Sequence, residues 1–219
     1  MGLLDLLSTK RADPVSPAAV PAAEVGELLF PTKALKKLLV TLSSRESPAL
    51  IDLGPVVGSN VSFFGEQLGC KIFVEDLYAE LERQARADTL DTFPQWITKR
   101  FTQPDASVDG IICWDIIDYL TRPAAQALAD QLTRILRPEG ALFAFFGNAV
   151  GRERQYIKYI VGDEANLKHR PYPASCARQP VLANRDIIRL FSGLRVSDSF
   201  LMKNNVREML FRKPTYDTR

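Results

Sequence analysis

Short, almost wholly apolar runs that alternate with helical periodicity constrain this chain more than any other feature. Ala49-Leu50-Ile51-Asp52-Leu53, Lys71-Ile72-Phe73-Val74, Val108-Asp109-Gly110-Ile111-Ile112-Cys113-Trp114 and Ala141-Leu142-Phe143-Ala144-Phe145-Phe146 are too short for helices. Their continuous apolar character is what a strand covered on both faces requires. Between them lie helical patterns. Val61, Phe64 and Leu68 share one face of 59–68, and a helix is expected through Glu80 and Leu81 to Arg86. Leu128, Leu132, Ile135 and Leu136 follow Thr121 as cap, with Pro123 in the first turn and Arg137-Pro138-Glu139-Gly140 as the stop. Strand and helix in alternation imply a parallel sheet with right-handed crossovers and helices on both faces. A weaker strand is expected at Gln95–Thr98, which would bring the parallel strands to five.

The flanks read differently. Leu35, Leu38, Leu39 and Leu42 mark an amphipathic helix after Thr32, while Ser8–Ala23 is rich in Pro, Ala and small polar residues and reads as a flexible arm. The chain therefore divides into an arm over 1–30 and one domain over 31–219. Ahead of the arm, Leu3, Leu4, Leu6 and Leu7 form an apolar head that can dock on the domain or on a protein partner. From about 147 to 183 no period is clean, and Arg152, Arg154, Tyr156, Tyr159 and the stretch His169-Arg170-Pro171-Tyr172-Pro173 read as an insertion or lid. Asn184 is the expected cap of a short helix carrying Ile187, Ile188 and Phe191, with Gly193 just past its end. Val196–Leu201 and Val206–Phe211 then close the domain as a hairpin, since Asn204 and Asn205 tolerate the positive φ of a tight turn.

Composition narrows the function. The three cysteines, Cys70, Cys113 and Cys176, are widely spaced, which excludes a disulfide framework and a zinc ribbon and fits a reduced compartment. No metal site is expected. No apolar run reaches the length of a membrane span, and the first residues lack the form of a secretory leader, so the expected location is cytoplasmic. The net charge of +2 gives no footprint for nucleic acid, although from Gly151 onward 14 Lys/Arg stand against 7 Asp/Glu. No nucleic-acid recognition module is visible.

The strand–turn–helix at Asp52-Leu53-Gly54-Pro55-Val56-Val57-Gly58 resembles the opening of the class I S-adenosylmethionine-dependent methyltransferases, of the small-molecule type. So does Val108–Leu120 followed by Leu136-Arg137-Pro138-Glu139-Gly140-Ala141-Leu142, which is similar to that family's fourth and fifth strands. The order of these pieces carries the resemblance over about 49–146. It implies a doubly wound, mostly parallel, seven-stranded sheet with an antiparallel C-terminal hairpin. It further implies S-adenosylmethionine held by Asp52, Gly54, Pro55 and Gly58, with the ribose on Asp76 or its rival Glu75. Asp76 lies 24 residues after Asp52, near the roughly 20-residue spacing of a ribose acid. Cys113, Trp114 and Asp115 would line the adenine and methyl side.

Methyl transfer from a sulfonium is an in-line displacement, so a base is needed only where the acceptor holds a proton. By position the candidates are Asp115 and Tyr119. His169, the sole histidine, is either a lid residue reaching in or an exposed loop residue. The sequence departs from the family in two places. Val56 stands where a further glycine is usual, where its side chain either crowds the methionine moiety or forces the loop to bow outward. The third strand offers Lys99-Arg100-Phe101-Thr102-Gln103 instead of an acid for adenine, leaving Gln103 or a backbone carbonyl. Two functional readings follow: methyl transfer to a small-molecule acceptor, and a catalytically silent relative that binds a ligand or partner through its cleft, apolar head or basic lid. A nicotinamide dehydrogenase ranks lower, because the G-x-G-x-x-G spacing is absent at Gly54–Gly58.

Overall fold

A computed structural model of the chain describes residues 28–148 and 155–215. The apolar head, the arm through residue 27, and Arg152 and Arg154 lie outside them. The strands are β1 (Leu28–Pro31), β2 (Ala49–Asp52), β3 (Lys71–Val74), β4 (Val108–Trp114), β5 (Leu136–Gly147), β6 (Gln155–Val161), β7 (Asn166–Pro173), β8 (Arg195–Leu201) and β9 (Val206–Arg212). The helices are α1 (Ala34–Ser43), α2 (Gly58–Ser62), α3 (Leu77–Arg86), α4 (Phe93–Arg100), α5 (Arg122–Ile135) and α6 (Asn184–Leu190).

The main sheet has six strands in the order β3-β2-β4-β5-β9-β8, not the seven expected. β3, β2, β4 and β5 run parallel, and β9 turns back between β5 and β8. The missing strand is the one expected at Gln95–Thr98, where the chain instead forms α4. Phe93 and Ile97, one turn apart, are both buried, Trp96 stacks on Phe93 at 5.4 Å, and Pro94 sits in the first turn. That spacing is helical, and it lays α4 against α5 rather than along β3.

Alternation along the strands divides the interior into two cores, as a period of two demands. Leu142, Ala144 and Phe146 face the core covered by α3, α4, α5 and α6. Ala141, Phe143 and Phe145 face the core covered by α1 and Phe64. The C-terminal hairpin forms as expected, with Asn205 at φ 58° in its turn. The helix after Gly58 begins as α2 and widens into a π-helical turn over Phe63–Gln67. That turn buries Asn60 and Phe64 and leaves Val61 exposed, in place of the single face of Val61, Phe64 and Leu68. Asn184 is the first residue of α6 rather than its cap, and its side-chain oxygen accepts from Arg207 instead.

The segment expected as an insertion holds the β6–β7 hairpin, which joins β1 in a second, antiparallel sheet of order β1-β7-β6. It sits across the carboxyl edge of the main sheet. Tyr156 enters one core and Tyr159 the other.

Asp109-Gly110 and Arg137-Pro138-Glu139-Gly140 meet at the starts of β4 and β5. Asp109, 1% exposed, accepts from the backbone N–H of Ala49 at 2.9 Å and from Arg137 at 3.0 Å, tying the starts of β2, β4 and β5 together. The β4–β5 ladder pauses between Leu136 and Ala141, with Glu139 at φ 62°. A Cβ on Gly140 would stand 2.8 Å from the Arg137 carbonyl oxygen and 3.1 Å from that of Asp109. Backbone neighbours cannot yield as a side-chain tip can. Gly140→Ala is expected to cost about 1–3 kcal/mol, read as a lower urea midpoint at unchanged slope. Gly58→Ala, where a Cβ meets nothing within 4 Å, is the control and should stay within about 0.5 kcal/mol of wild type.

Candidate functional site

The carboxyl edge of the parallel strands brings the glycine loop and the end of β4 together, where an open α/β sheet forms its crevice. Asp52 closes β2, 3% exposed, and its Oδ1 accepts from the Gly54 backbone N–H at 2.9 Å. The same oxygen accepts from the Trp114 indole N–H at 2.7 Å. The indole therefore lies across the loop. A Cβ on Gly54 would be 2.8 Å from Trp114 Cδ1 and Nε1, so glycine is required at 54 to admit this ring. Trp114 holds φ 46°, the left-handed region that a bulky residue seldom enters, and the β4–β5 register shifts beside it.

Val56, by contrast, is 72% exposed and crowds nothing in the cleft. The outward-bowed alternative describes the loop, and the obstruction comes from Trp114. Pro55 is buried beneath the turn, and Gly58 opens α2 with free space around its Cα.

Trp114 is held in place by stacking. Tyr159 lies parallel to it at 5.0 Å, and Phe143 meets it edge-on at 5.9 Å. Asn60 clamps β6 to α2: its amide donates to the Tyr159 carbonyl at 3.0 Å, and its Oδ1 accepts from the Val161 N–H at 2.8 Å. Further along, Tyr156 stacks on Tyr78 at 3.8 Å, and Tyr119 meets Tyr78 edge-on at 5.0 Å. Sequence reasoning passed over Asn60, Tyr78 and the roles of Tyr156 and Tyr159. The signal was an aromatic excess in a segment without period.

Asp115 and Tyr119 are brought together, but around Arg178. The guanidinium pairs with Asp115 and with Asp118 and stands 4.7 Å above the Tyr119 ring. Tyr119 donates its hydroxyl hydrogen bond to the Gln155 carbonyl at 2.7 Å. Burial pushes the Asp118 carboxyl up to about 6, reinforced by Asp115 and opposed by Arg178. Burial also raises Asp115 against the pull of Arg178. Burial works against the Arg178 charge, yet Asp115, Tyr119, Tyr159 and Asp118 hold it above its ordinary value. The cluster is an internal ion pair with a surplus carboxylate. Asp115 and Tyr119 are both nearly fully buried; Asp115 Oδ1 has no hydrogen-bond partner among the described residues, and Tyr119 lines a cavity of about 260 Å³ beside Cys176.

His169 lies elsewhere. It is a strand residue of β7, stacked on Phe30 at 3.9 Å and met edge-on by Tyr159 at 4.9 Å, not an exposed loop residue. Burial lowers its pKa to about 4, so it is neutral near pH 7.

Past the end of β3, Asp76 caps α3 by accepting from the Ala79 N–H at 3.0 Å, and Glu75 pairs with Arg100. Both acids, with Leu77, Trp96 and Arg100, line a cavity of about 430 Å³ at the β3 edge. Cys113 is fully buried, and burial pushes its thiol up. The space beside Glu75 and Asp76 is thus open, and the space next to Gly54 is taken by the Trp114 indole. In this arrangement the indole occupies the approach to Gly54, where the resemblance would put the methionine moiety of S-adenosylmethionine.

Burial raises the Asp52 pKa to about 6, offset in part by the bonds from Gly54 and Trp114 and aided by Asp76. A folded value above the ordinary one means that the folded chain binds the extra proton. That contribution is fully present at low pH and is lost as pH rises through about 6. Asp52→Asn keeps an oxygen for both donors and removes the titration. Relative to wild type, the variant should gain on the order of 2 kcal/mol of unfolding free energy between about pH 4 and pH 7.5, measured by urea titration. Asp118 and His169 titrate in both proteins and cancel in the difference. Parallel curves would show that Asp52 titrates as an ordinary carboxylate.

No protein-family model matches the sequence, and no curated protein matches it. Among solved structures, the S-adenosylmethionine-dependent methyltransferase of Mesorhizobium loti aligns over 82% of this chain and 96% of its own at 13% identity, with a TM-score of 0.50. A chain of the Haloferax volcanii complex between the Trm112 methyltransferase activator and the protein described as a methyltransferase aligns over 82% and 88% at 15% identity, with a TM-score of 0.53. The PH0226 protein of Pyrococcus horikoshii aligns over 82% and 88% at 17% identity, with a TM-score of 0.50. At these identities the likeness is one of fold. The chain shares the class I methyltransferase fold, with six of its strands in one sheet and the cleft at their carboxyl ends lined by its own aromatic side chains.

Proposed function

We propose that this chain is a catalytically silent methyltransferase-fold domain, one that binds a ligand or partner rather than transferring a methyl group. The observation that carries this reading is the Trp114 indole bonded to Asp52 across Gly54. The groups that would orient a methionine moiety are engaged with one another, and Asp115 and Tyr119 are committed to Arg178 and Gln155. A buried carboxylate that already accepts two hydrogen bonds has little to gain from a ligand.

The second reading, S-adenosylmethionine-dependent methyl transfer to a small-molecule acceptor, draws on the ribose end. Glu75 and Asp76 line an open cavity there, and Gly58 is a glycine that packing does not require. It needs Trp114 and the β6–β7 hairpin to move aside. Both readings place the chain in the cytoplasm with small molecules as its ligands. Both leave a protein contact through the Leu3–Leu7 head as a further proposal, as the Trm112 activator has in its own complex.

Calorimetric titration with S-adenosylhomocysteine separates them. The silent reading expects no saturable heat from wild type or from Val56→Gly, because Val56 obstructs nothing. Trp114→Ala is expected to lose about 3–5 kcal/mol of stability and to be the variant in which cofactor affinity first emerges. Wild-type binding with a Kd below about 100 μM would sink the silent reading and leave methyl transfer standing.

A further inference from the structure

A second cavity, of about 520 Å³, opens at the same carboxyl edge on the far side of the aromatic wall. β1 and β7 form one side of it, and the end of β5 with the β8–β9 turn forms the other. Phe30, Phe145 and Leu167 line its interior. Leu29 and Leu201 stand at its rim, exposed at 60% and 64%. Trp114, Tyr159 and His169 in sequence separate it from the glycine loop. It is therefore a space separate from the crevice beside the glycine loop.

Three observations specify the chemistry of an occupant. The volume falls in the range of small-molecule sites, and the walls are predominantly apolar, as such sites are. The charged lining residues are Lys33 and Lys203, with no carboxylate among the described residues that line it. The nearby acid, Glu208, is buried and already engaged by the Thr32 hydroxyl and the Lys33 backbone N–H. Finally, His169 is a lining residue whose buried Nε2 has no hydrogen-bond partner among the described residues, and its ring is uncharged near pH 7. An orphaned buried nitrogen is costly unless something bonds it. Exposed leucines around a cavity mark a surface that gains from being covered.

We propose that this cavity is a binding site for an apolar molecule bearing a carboxylate, such as a medium-chain fatty acid. The chain would lie against Phe30, Phe145 and Leu167, and the carboxylate would sit between Lys33 and Lys203. Neutral His169 adds no buried charge to the wall, which suits an apolar site.

The test uses decanoate and decanol with the full chain, read by calorimetry. Decanoate is expected to bind saturably at one site, and more tightly than decanol. Lys33→Gln/Lys203→Gln changes two exposed residues, so the fold is retained; it should weaken decanoate roughly tenfold or more while leaving decanol unchanged. His169→Phe should weaken both ligands. The absence of saturable decanoate binding would overturn the proposal, as would equal loss of decanoate and decanol in the lysine variant. So would a concentration-dependent dimer in sedimentation that decanoate fails to dissociate, since a second copy would then cover the mouth. Because S-adenosylhomocysteine is not used, failure here leaves the reading of the cofactor cleft untouched, and the converse holds.

Discussion

The hydrogen bond from the Trp114 indole to the buried Asp52 carboxylate is the contact on which the carboxyl edge of this protein is built. It joins the end of β4 to the end of β2, the two strands that flank the crevice of an open parallel sheet. Neither partner is in an easy state. Trp114 holds a left-handed backbone, and Asp52 is buried with its pKa driven upward. Each difficulty is offset by the other partner. The carboxylate fixes the indole, and the indole supplies one of the two donors that keep the carboxylate charged at neutral pH.

From that contact the wall extends outward by stacking and by clamped backbone. Tyr159 covers the indole, and Asn60 holds the strand that carries Tyr159 through two hydrogen bonds. The hairpin therefore docks on two unrelated elements, α2 and the end of β4. On the other flank, Arg178 gathers Asp115, Asp118 and the Tyr119 ring, and Asp118 also accepts from the Gly147 N–H at 2.8 Å. A paired guanidinium at this depth loses solvation, and its worth lies in fixing geometry more than in added stability. It ties the segment after β7 to the turn after β4. The resulting edge is cross-linked from both flanks.

The alternation of apolar runs and helical periods made the parallel strands, the crossover helices and the closing hairpin legible, because burial on both faces leaves a continuous apolar signature. Gln95–Thr98 misled for a definable reason. Over four residues, a strand and a helical turn carry the same composition, and the deciding contacts, Phe93 with Trp96 and Ile97, appear only when the window is widened by two residues. The β6–β7 hairpin escaped because its buried residues, Tyr156, Tyr159 and Leu167, are set among charged and proline residues by a sheet that packs at an edge. At the strand ends, the resemblance proposed Asp52, Gly54, Asp115 and Trp114 as neighbours of one crevice. Their mutual engagement was not legible, because the sequence states where a residue sits along the chain and not which way an indole turns. Arg178 lies 63 positions from Asp115, a separation across which no local pattern carries information.

Gly54 admits a group from within the protein. A glycine after the first strand of such a sheet permits close approach to the backbone, and here the approaching group is an indole from the neighbouring strand. Val56, the visible departure from the family pattern, is solvent-facing and of small consequence. Trp114, which a reading of apolar runs includes in β4, is the side chain that lies against Gly54. Closing the loop from within also relocates the accessible space at this edge. The aromatic wall at the carboxyl edge has open cavities on either side, one beside Glu75 and Asp76 and one beside His169. The two differ in kind: the first is lined by acids and arginines and is open to water, while the second is apolar with lysines at its mouth. On a scaffold whose strand ends bind ligands, filling the centre moves binding to the flanks, and the flank with apolar walls and an orphaned nitrogen has the most to gain from an occupant.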